Sequence, residues 1–187
     1  RFSERLSALE RLEPTGVGVA PGTAIELMDR IQTRNDFHGG EFGFSWLRGR
    51  NCWSAEATGL LGLGWVGSRY TLDGQTSTYI GNRLLSSYQG GFLVRPEHIG
   101  SYRKSRFALM PQMRLNLRYQ WNECVHTHVG YEFLYLRPTV RPGTLASTRF
   151  DGTTLGADPG SIMPTDPSPS HDDLFVHGFN LGLTLTW

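Results

Sequence analysis

The sequence predicts an all-β fold: an antiparallel up-and-down transmembrane β-barrel, or the C-terminal six-strand portion of one. Two observations support this prediction. Candidate strands alternate between apolar and polar side chains with the period of two that strands impose, and the segments that connect them alternate between short and long. The composition, with 23 glycines and 12% aromatic residues, also favours strands and turns.

The C-terminal segment shows the alternation most clearly. From Phe175 to Trp187, large apolar side chains fall on one face with only His177 interrupting, and small or polar side chains fall on the other. One face suits lipid and the other suits a lumen. The aromatic end at Trp187 is typical of strands that outer-membrane barrels present to the barrel-assembly machinery, so we expect that machinery and outer-membrane lipid as partners. A soluble secreted β-sandwich, acting as a binding module, is the alternative.

Charge and hydropathy exclude two classes of protein. A net charge of +1 and a pI near 8.0 provide no basic field for a nucleic-acid partner. No apolar run approaches the roughly 18 residues that a membrane helix needs, whereas a barrel is compatible with the mean hydropathy of -0.32 because half of each strand faces inward. Residues 1–12 lack the apolar core of a secretory signal, so either a signal was removed or the chain begins inside a domain.

Six candidate strands follow from the alternation. Long loops are predicted at 12–35, 70–105 and 138–173, and tight turns near 49–52 and 122–124. Because outer-membrane barrels place short turns in the periplasm and long loops outside the cell, we expect all long loops at one end of a single domain, 1–187. The smallest such barrels have about eight strands, which predicts that N-terminal strands are lacking. The six strands are Arg1–Arg11, Asp36–Arg48, Trp53–Arg69, Arg106–Trp121, Val125–Arg137 and Leu174–Trp187.

Large aromatic residues lie near the two ends of these strands. Most lie at the short-turn end and Trp65 lies at the long-loop end, which predicts two girdles of aromatic side chains, one at each membrane interface. Trp53 and Trp65 are twelve residues apart, which spans roughly 28 Å at a strand tilt of about 45°. The alternative places these side chains in the core between two sheets. The girdle residues are Trp46, Trp53, Trp65, Tyr119, Trp121 and Trp187.

Charged residues on the polar faces are the candidates for lumen chemistry. Counted from the short turns, one group lies about three residues in and a second about seven. Opposite charges then meet across neighbouring strands, and because buried charges have to be paired, we interpret them as packing of the lumen. A charged constriction that selects permeants is the functional alternative. The first group is Glu56, Arg118 and His128, and the second is Glu41, Arg114 and Glu132.

Two cysteines and two histidines give further hypotheses. Cys52 and Cys124 each lie at a short turn, so a disulfide in the oxidising periplasm is one hypothesis and two free thiols the other. His126 and His128 share the inward face, but apart from Glu56 no third ligand is identified, so we expect no metal site and no cofactor.

A rim-active hydrolase is the enzymatic alternative. His171, Asp172 and Asp173 lie where the last long loop rejoins the predicted barrel, and outer-membrane hydrolases place such side chains at the rim. Nothing fixes them in a constellation, and loops also collect solvated charges. The preferred interpretation is therefore a protein that is not an enzyme and whose long loops contact partners, other envelope proteins among them. Three further loop carboxylates precede this group: Asp151, Asp158 and Asp166.

Several short motifs, taken in their order and spacing, resemble a known family. The motifs are Asp29–Gly40, Gly90–Leu93 with Pro96, Ile99–Gly100, Arg106–Ala108 with Pro111, Val129–Tyr131 with Phe133–Tyr135, Val140–Gly143 and Gly178–Leu183. From about residue 29 onward the chain is similar to the bacterial outer-membrane family of beta-barrel porin 7. The resemblance implies a structural or pore-forming barrel in the bacterial outer membrane and implies no catalytic residues. Because family members are longer at the N-terminus, it also implies preceding strands.

Overall fold

The computed structural model describes residues 1–16, 18–146 and 166–185. These residues form an all-β antiparallel sheet, which confirms the predicted fold class. Helix is limited, in this described part, to a 3-10 turn at Pro96–His98 and one α-helical turn, α1, at Pro142–Leu145. No described helix has the length and apolar character needed to cross a membrane. The strands are β1 Phe2–Leu12, β2 Thr23–Arg50, β3 Trp53–Ile80, β4 Arg83–Gln89, β5 Gly100–Gln120, β6 Val125–Thr139 and β7 Asp172–Leu185.

The strand order is that of an up-and-down sheet with one addition. The order is β1-β2-β3-β5-β6-β7, and β4 pairs with β3 as a hairpin. All six predicted strands are present, and strands that follow one another along this path are hydrogen-bonded neighbours. The short strand β4 was not predicted.

Two of the predicted long loops are shorter than predicted, because strands extend into them. Within 70–105, β3 continues to Ile80, β4 follows, and β5 already begins at Gly100; within 12–35, β2 begins at Thr23. Tyr70 and Leu72 continue the buried positions of β3, but the polar residues and glycines around them hid this alternation in the sequence. The third predicted loop, 138–173, falls mostly on residues outside the described part.

The chain divides into two compact units. The first unit comprises residues 1–36, 67–104 and 140–171, and the second comprises 37–66, 105–139 and 172–187. Strands β2, β3 and β5 contribute residues to both. The single domain predicted over 1–187 stays a prediction.

In the first unit, non-strand segments supply half of the main buried apolar cluster. Ile31, Tyr70 and Leu72 from β2 and β3 pack with Val94, Val140 and Leu145 from segments 90–99 and 140–146. The six side chains are between 0 and 5% exposed. Burial of this apolar surface therefore holds both segments against one face of the sheet, which we call the inner face.

The second unit has a separate core on the face that also carries the predicted lumen charges. Met110 and Ala108 of β5 pack there with Leu136 of β6 and Val66 of β3. Side chains on one face of a strand repeat every second residue, so Ala108 and Met110 share a face with Arg114 and Arg118. The face of β5 that carries Arg114 and Arg118 therefore also has an apolar section.

Candidate lumen face and its anchored segments

The pairing of β5, β6 and β7 separates two faces in the second unit. Arg114 is paired with Glu132 and Arg118 with His128, while Leu181 of β7 is paired with Val129. Directly opposed residues of an antiparallel pair share a face. One face is therefore polar and the other apolar, as the alternation in the sequence indicated.

The apolar face of these strands is exposed. Phe179 and Leu181 are 78% and 84% exposed, and Leu115 is 40% exposed. Soluble monomers rarely expose a contiguous apolar surface of this kind, and such surfaces mark contact with a membrane or another protein. The same face continues through Leu117, Val129, Leu183 and Leu185.

The polar face carries contacts between neighbouring strands. The Arg114 guanidinium lies 2.7 Å from the Glu132 carboxylate, and Arg118 lies 3.8 Å from Glu56. Gln112 donates a hydrogen bond of 3.0 Å to Glu41. Because the Arg114 and Glu132 side chains are 59% and 52% exposed, this pair stabilises the sheet by at most about 1 kcal/mol.

Small residues make room on the polar face for their larger neighbours. A Cβ on Gly130 would overlap the Asn116 and Asn180 amides, and a Cβ on Gly182 would overlap the His128 ring. A groove of about 460 Å³ is lined by Arg114, Arg118, His126, His128, Asn180 and Thr184. Five of the predicted lumen residues lie beside one another, Arg114 with Glu132 and Arg118 with Glu56 and His128, whereas Glu41 contacts Gln112. Among the described residues no cluster of three His, Cys, Asp or Glu side chains could hold a metal.

Four of the predicted girdle residues lie in two aromatic contact groups of the second unit. Tyr119 lies 4.6 Å from Trp53 and 4.8 Å from Trp121, measured between ring centroids. Trp65 contacts Phe107 at 6.1 Å. The first group is at the short turns and the second is twelve residues further along β3. Trp46 is half exposed, and Trp187 lies outside the described residues.

The two cysteines lie at the same end of the sheet but are not bonded. The backbone N–H of Gln120 donates to the Cys52 carbonyl at 2.8 Å, which places Cys52 beside the end of β5, where the turn containing Cys124 begins. In that turn the Asn122 side chain accepts from the N–H of Cys124 at 2.9 Å and holds it out of the strand ladder. The two cysteines therefore lie at the same end of the sheet, as predicted. Both thiols are free and exposed, and no disulfide joins them.

In the first unit, Asp29 anchors segment 90–99. The Asp29 side chain is on a buried position of β2, 2% exposed, and accepts hydrogen bonds from the backbone N–H groups of Phe92, Leu93 and Val94 at 2.8, 3.0 and 3.0 Å. A Cβ on Gly91 would overlap the carboxylate. Asp29 and Gly91 therefore form one structural motif although they are far apart in the sequence.

Asn35 anchors segment 140–146 in a different way. Its amide donates to the Val140 carbonyl at 2.9 Å and accepts from the Val140 N–H at 3.0 Å, as a neighbouring strand would. Ser68 of β3 donates to the same amide oxygen at 2.7 Å. Next to it, Arg141 binds Glu4 of β1 through two hydrogen bonds of 3.0 and 2.8 Å.

The predicted rim carboxylates have structural partners. Asp166 accepts from the Tyr70 hydroxyl and lies 2.8 Å from the Lys104 ammonium. Burial raises the pKa of Asp166, but hydrogen bonds from Lys104, Tyr70 and the Ser168 N–H outweigh it and lower the pKa overall. Burial and the bond to Asp166 raise the pKa of Tyr70, which stays protonated.

The remaining rim residues are divided between the units. Asp173 at the start of β7 pairs with Arg137 at 3.2 Å and accepts from the Tyr135 hydroxyl at 2.7 Å. His171 ends the first unit, whereas Asp172 begins β7 in the second. Asp151 and Asp158 lie outside the described residues. The contacts of Asp166 and Asp173 are those of structural carboxylates.

An antiparallel up-and-down sheet with one apolar exposed face and one polar face is consistent with a β-barrel. The chain belongs to the family described as "Putative beta barrel porin-7 (BBP7)", whose model matches residues 1–187. The match begins earlier than residue 29, where the motifs of the resemblance start. No curated protein and no solved structure matches the chain.

The motifs that carry the resemblance contain the anchors of the first unit. Asp29 and Asn35 belong to the first motif, Gly91 to the second, and Val140 and Arg141 to a later one. Their role could not be predicted from the sequence, because Asp29 and Val94 are 65 residues apart and Asn35 and Val140 are 105 residues apart. The sequence did contain one indication: Asp29 and Asn35 are an even number of residues from Ile31, so they lie on the same, buried face of the strand.

Proposed function

We propose that the protein is an integral β-barrel of the bacterial outer membrane that forms a pore lined by the polar face of β5–β7. The observation that carries this proposal is the exposed apolar face of the same strands. Leaving such a face in water costs about 25 cal/mol per Å², and contact with lipid hydrocarbon removes this cost. A β-sandwich would cover it with a second sheet, but the described strands all belong to one sheet.

The polar face supports a pore in which charge influences permeation. Arg114, Arg118, Glu132 and Glu56 keep part of their surface in contact with solvent, so they are available to a permeating ion. The family description, a beta barrel porin, agrees with this role. It also favours a protein that is not an enzyme.

A structural barrel that presents its loops to other envelope proteins is the second candidate. It is favoured by the anchored segments of the first unit, because Val94, Val140 and Leu145 fill the inner face of that unit's sheet. A filled inner face leaves less room for permeants.

Membrane insertion is tested with two neighbouring positions on β5. Leu115→Arg should impair assembly by about 2 to 4 kcal/mol, because a guanidinium would face hydrocarbon, whereas Asn116→Arg should have a smaller effect. The measurement is the heat-modifiable, folded fraction in purified outer membranes. Equal loss in both variants would mean that the apolar face does not contact lipid.

Conductance in planar bilayers separates pore from structural barrel. A pore should give discrete channels whose ion selectivity shifts toward cations in Arg114→Gln/Arg118→Gln, because positive charge leaves the lumen. A folded, inserted protein without channels supports the structural candidate. Channels with unchanged selectivity would exclude these arginines as lumen residues.

A further inference from the structure

The outer face of the first unit's sheet, opposite its buried core, is rich in arginine. On β2 the buried positions are Asp29, Ile31 and Thr33. Side chains alternate along a strand, so Arg30 and Arg34 point to the other face. The neighbouring strands place Arg5 of β1, Arg69 of β3 and Arg103 of β5 on exposed positions.

Three of these arginines lie in one row across three neighbouring strands. The Asn35–Ser68 hydrogen bond and the close approach of Gly74 to Asp29 align antiparallel β2 and β3 so that Arg34 opposes Arg69. The hydrogen bond of 2.7 Å between Thr71 and Ser101 aligns β3 with β5 so that Arg69 opposes Arg103. We call Arg34, Arg69 and Arg103 the arginine row.

Arg5 extends the row toward β1. It is paired with Gln32 and is therefore a diagonal neighbour of Arg34, about 7 to 8 Å away. A shallow cavity of about 360 Å³ is lined by Arg5, Gln32, Arg34, Arg69 and Thr71, and also by Glu4, whose carboxylate binds Arg141. It is a polar surface with hydroxyl and amide groups between the guanidinium groups.

The positive charge of the row is mostly unbalanced. Arg34 lies 2.7 Å from Asp36, but no described carboxylate forms a salt bridge with Arg5, Arg69 or Arg103. Like charges directly opposite each other destabilise a sheet, and arginine cannot deprotonate to relieve the repulsion. An anion that spans the row removes this cost, and guanidinium groups bind phosphate with two parallel hydrogen bonds.

We propose that the arginine row binds the phosphate groups of a phosphorylated glycolipid headgroup at the surface of the outer leaflet. This inference rests on the proposed outer-membrane function. The row crosses three strands, about 10 Å in all, which suits a headgroup with two phosphates better than a single small anion. It also lies on an exposed sheet face, where a lipid can approach from the side.

The strand positions support a lipid source. Arg69 follows Trp65 by four residues on β3, and Arg103 precedes Phe107 by four on β5. Four residues of strand span about 13 Å, or about 9 Å of depth at a tilt of about 45°. The polar headgroup layer adds about 5 to 8 Å on each side of the hydrocarbon, so arginines at this spacing from an interfacial aromatic pair reach phosphates.

The test measures retention of diphosphoryl lipid A by the purified, folded protein in detergent, using native mass spectrometry. Arg34→Gln/Arg69→Gln/Arg103→Gln should reduce retention about tenfold, since charge-assisted contacts are lost. The matched control, Arg48→Gln/Arg50→Gln/Arg83→Gln, removes the same charge from exposed positions elsewhere and should retain wild-type binding. Arg69→Gln alone should reduce retention about threefold and serves if the triple variant does not fold.

Three outcomes would overturn the inference. They are equal retention by the row variant and the control, equal retention of lipid A without phosphates, and complete displacement of the lipid by millimolar inorganic phosphate, which would indicate a small-anion site. Membrane fractionation keeps the two proposals distinguishable. Absence of the wild-type protein from the outer membrane defeats the proposed function, whereas an inserted protein whose row variant still retains lipid defeats only this inference.

Discussion

In the second unit, Arg114 and Glu132 pair across neighbouring strands while both stay about half exposed; in the first, Asp29 and Asn35 are buried and bind backbone groups. The Arg114–Glu132 pair joins strands that backbone hydrogen bonds already join. Asp29 and Asn35 hold segments 90–99 and 140–146, which are not strands of the sheet. Polar residues of similar type therefore contribute very differently to stability, according to whether water can replace their partner.

The largest effect is expected when the Asp29 anchor is removed. Asp29→Ala removes the acceptor of the N–H groups of Phe92, Leu93 and Val94, of which that of Val94 is buried, at a cost of about 3 kcal/mol. Urea unfolding in detergent micelles measures the loss, and hydrogen exchange at residues 92–94 locates it. Asp73→Ala, on an exposed position of β3, should change stability by less than about 0.5 kcal/mol. Similar losses in both variants would remove the distinction between the units.

An intermediate effect is expected at Asp166, and it should depend on pH. Hydrogen bonds from Lys104, Tyr70 and the Ser168 N–H lower the pKa of the Asp166 carboxyl below its ordinary value despite burial. Its contribution to stability is therefore complete above the ordinary pKa of an aspartate and disappears as pH falls through the lower folded pKa. The difference in melting temperature between wild type and Asp166→Asn should therefore shrink between about pH 5 and about pH 3. A difference that stays constant over this range would contradict the ionised contact with Lys104.

The smallest effect is expected on the polar face of the second unit. Glu132→Gln should change the free energy of unfolding by no more than about 1 kcal/mol, because the Arg114–Glu132 pair is exposed to solvent. The same urea titration applies. A loss as large as that of Asp29→Ala would show that this pair is shielded from water in the membrane.

The sequence predicted those parts of the fold where the two faces differ in chemistry. The apolar positions Leu115, Leu117 and Tyr119 alternate with Arg114, Asn116 and Arg118, and so the strand and both of its faces could be recognised. The same rule failed between residues 23 and 35, where the buried face contains Asp29, Thr33 and Asn35. Buried polar residues look like loop residues until their partners are known.

The contacts of the candidate site could likewise be predicted only where they join neighbouring strands. Ion pairs such as Arg114–Glu132 join neighbouring strands and could be predicted by counting from a short turn. The contacts of Asp29 and Asn35 could not, because their partners come from distant segments whose position no local pattern indicates. The arginine row was hidden because residues 70–105 were interpreted as a loop, which left Arg69 and Arg103 without a shared face.

The shared Asn35 amide has a consequence for the order of folding. Ser68 on β3 and Val140 both donate to the Asn35 oxygen on β2, so the orientation of the amide that Val140 binds is fixed once β2 and β3 have paired. Closing a connection of 105 residues costs chain entropy that only a preformed partner can offset. We therefore expect segment 140–146 to dock late, so that protection of the Val140 N–H from exchange during folding should follow the pairing of β2 with β3.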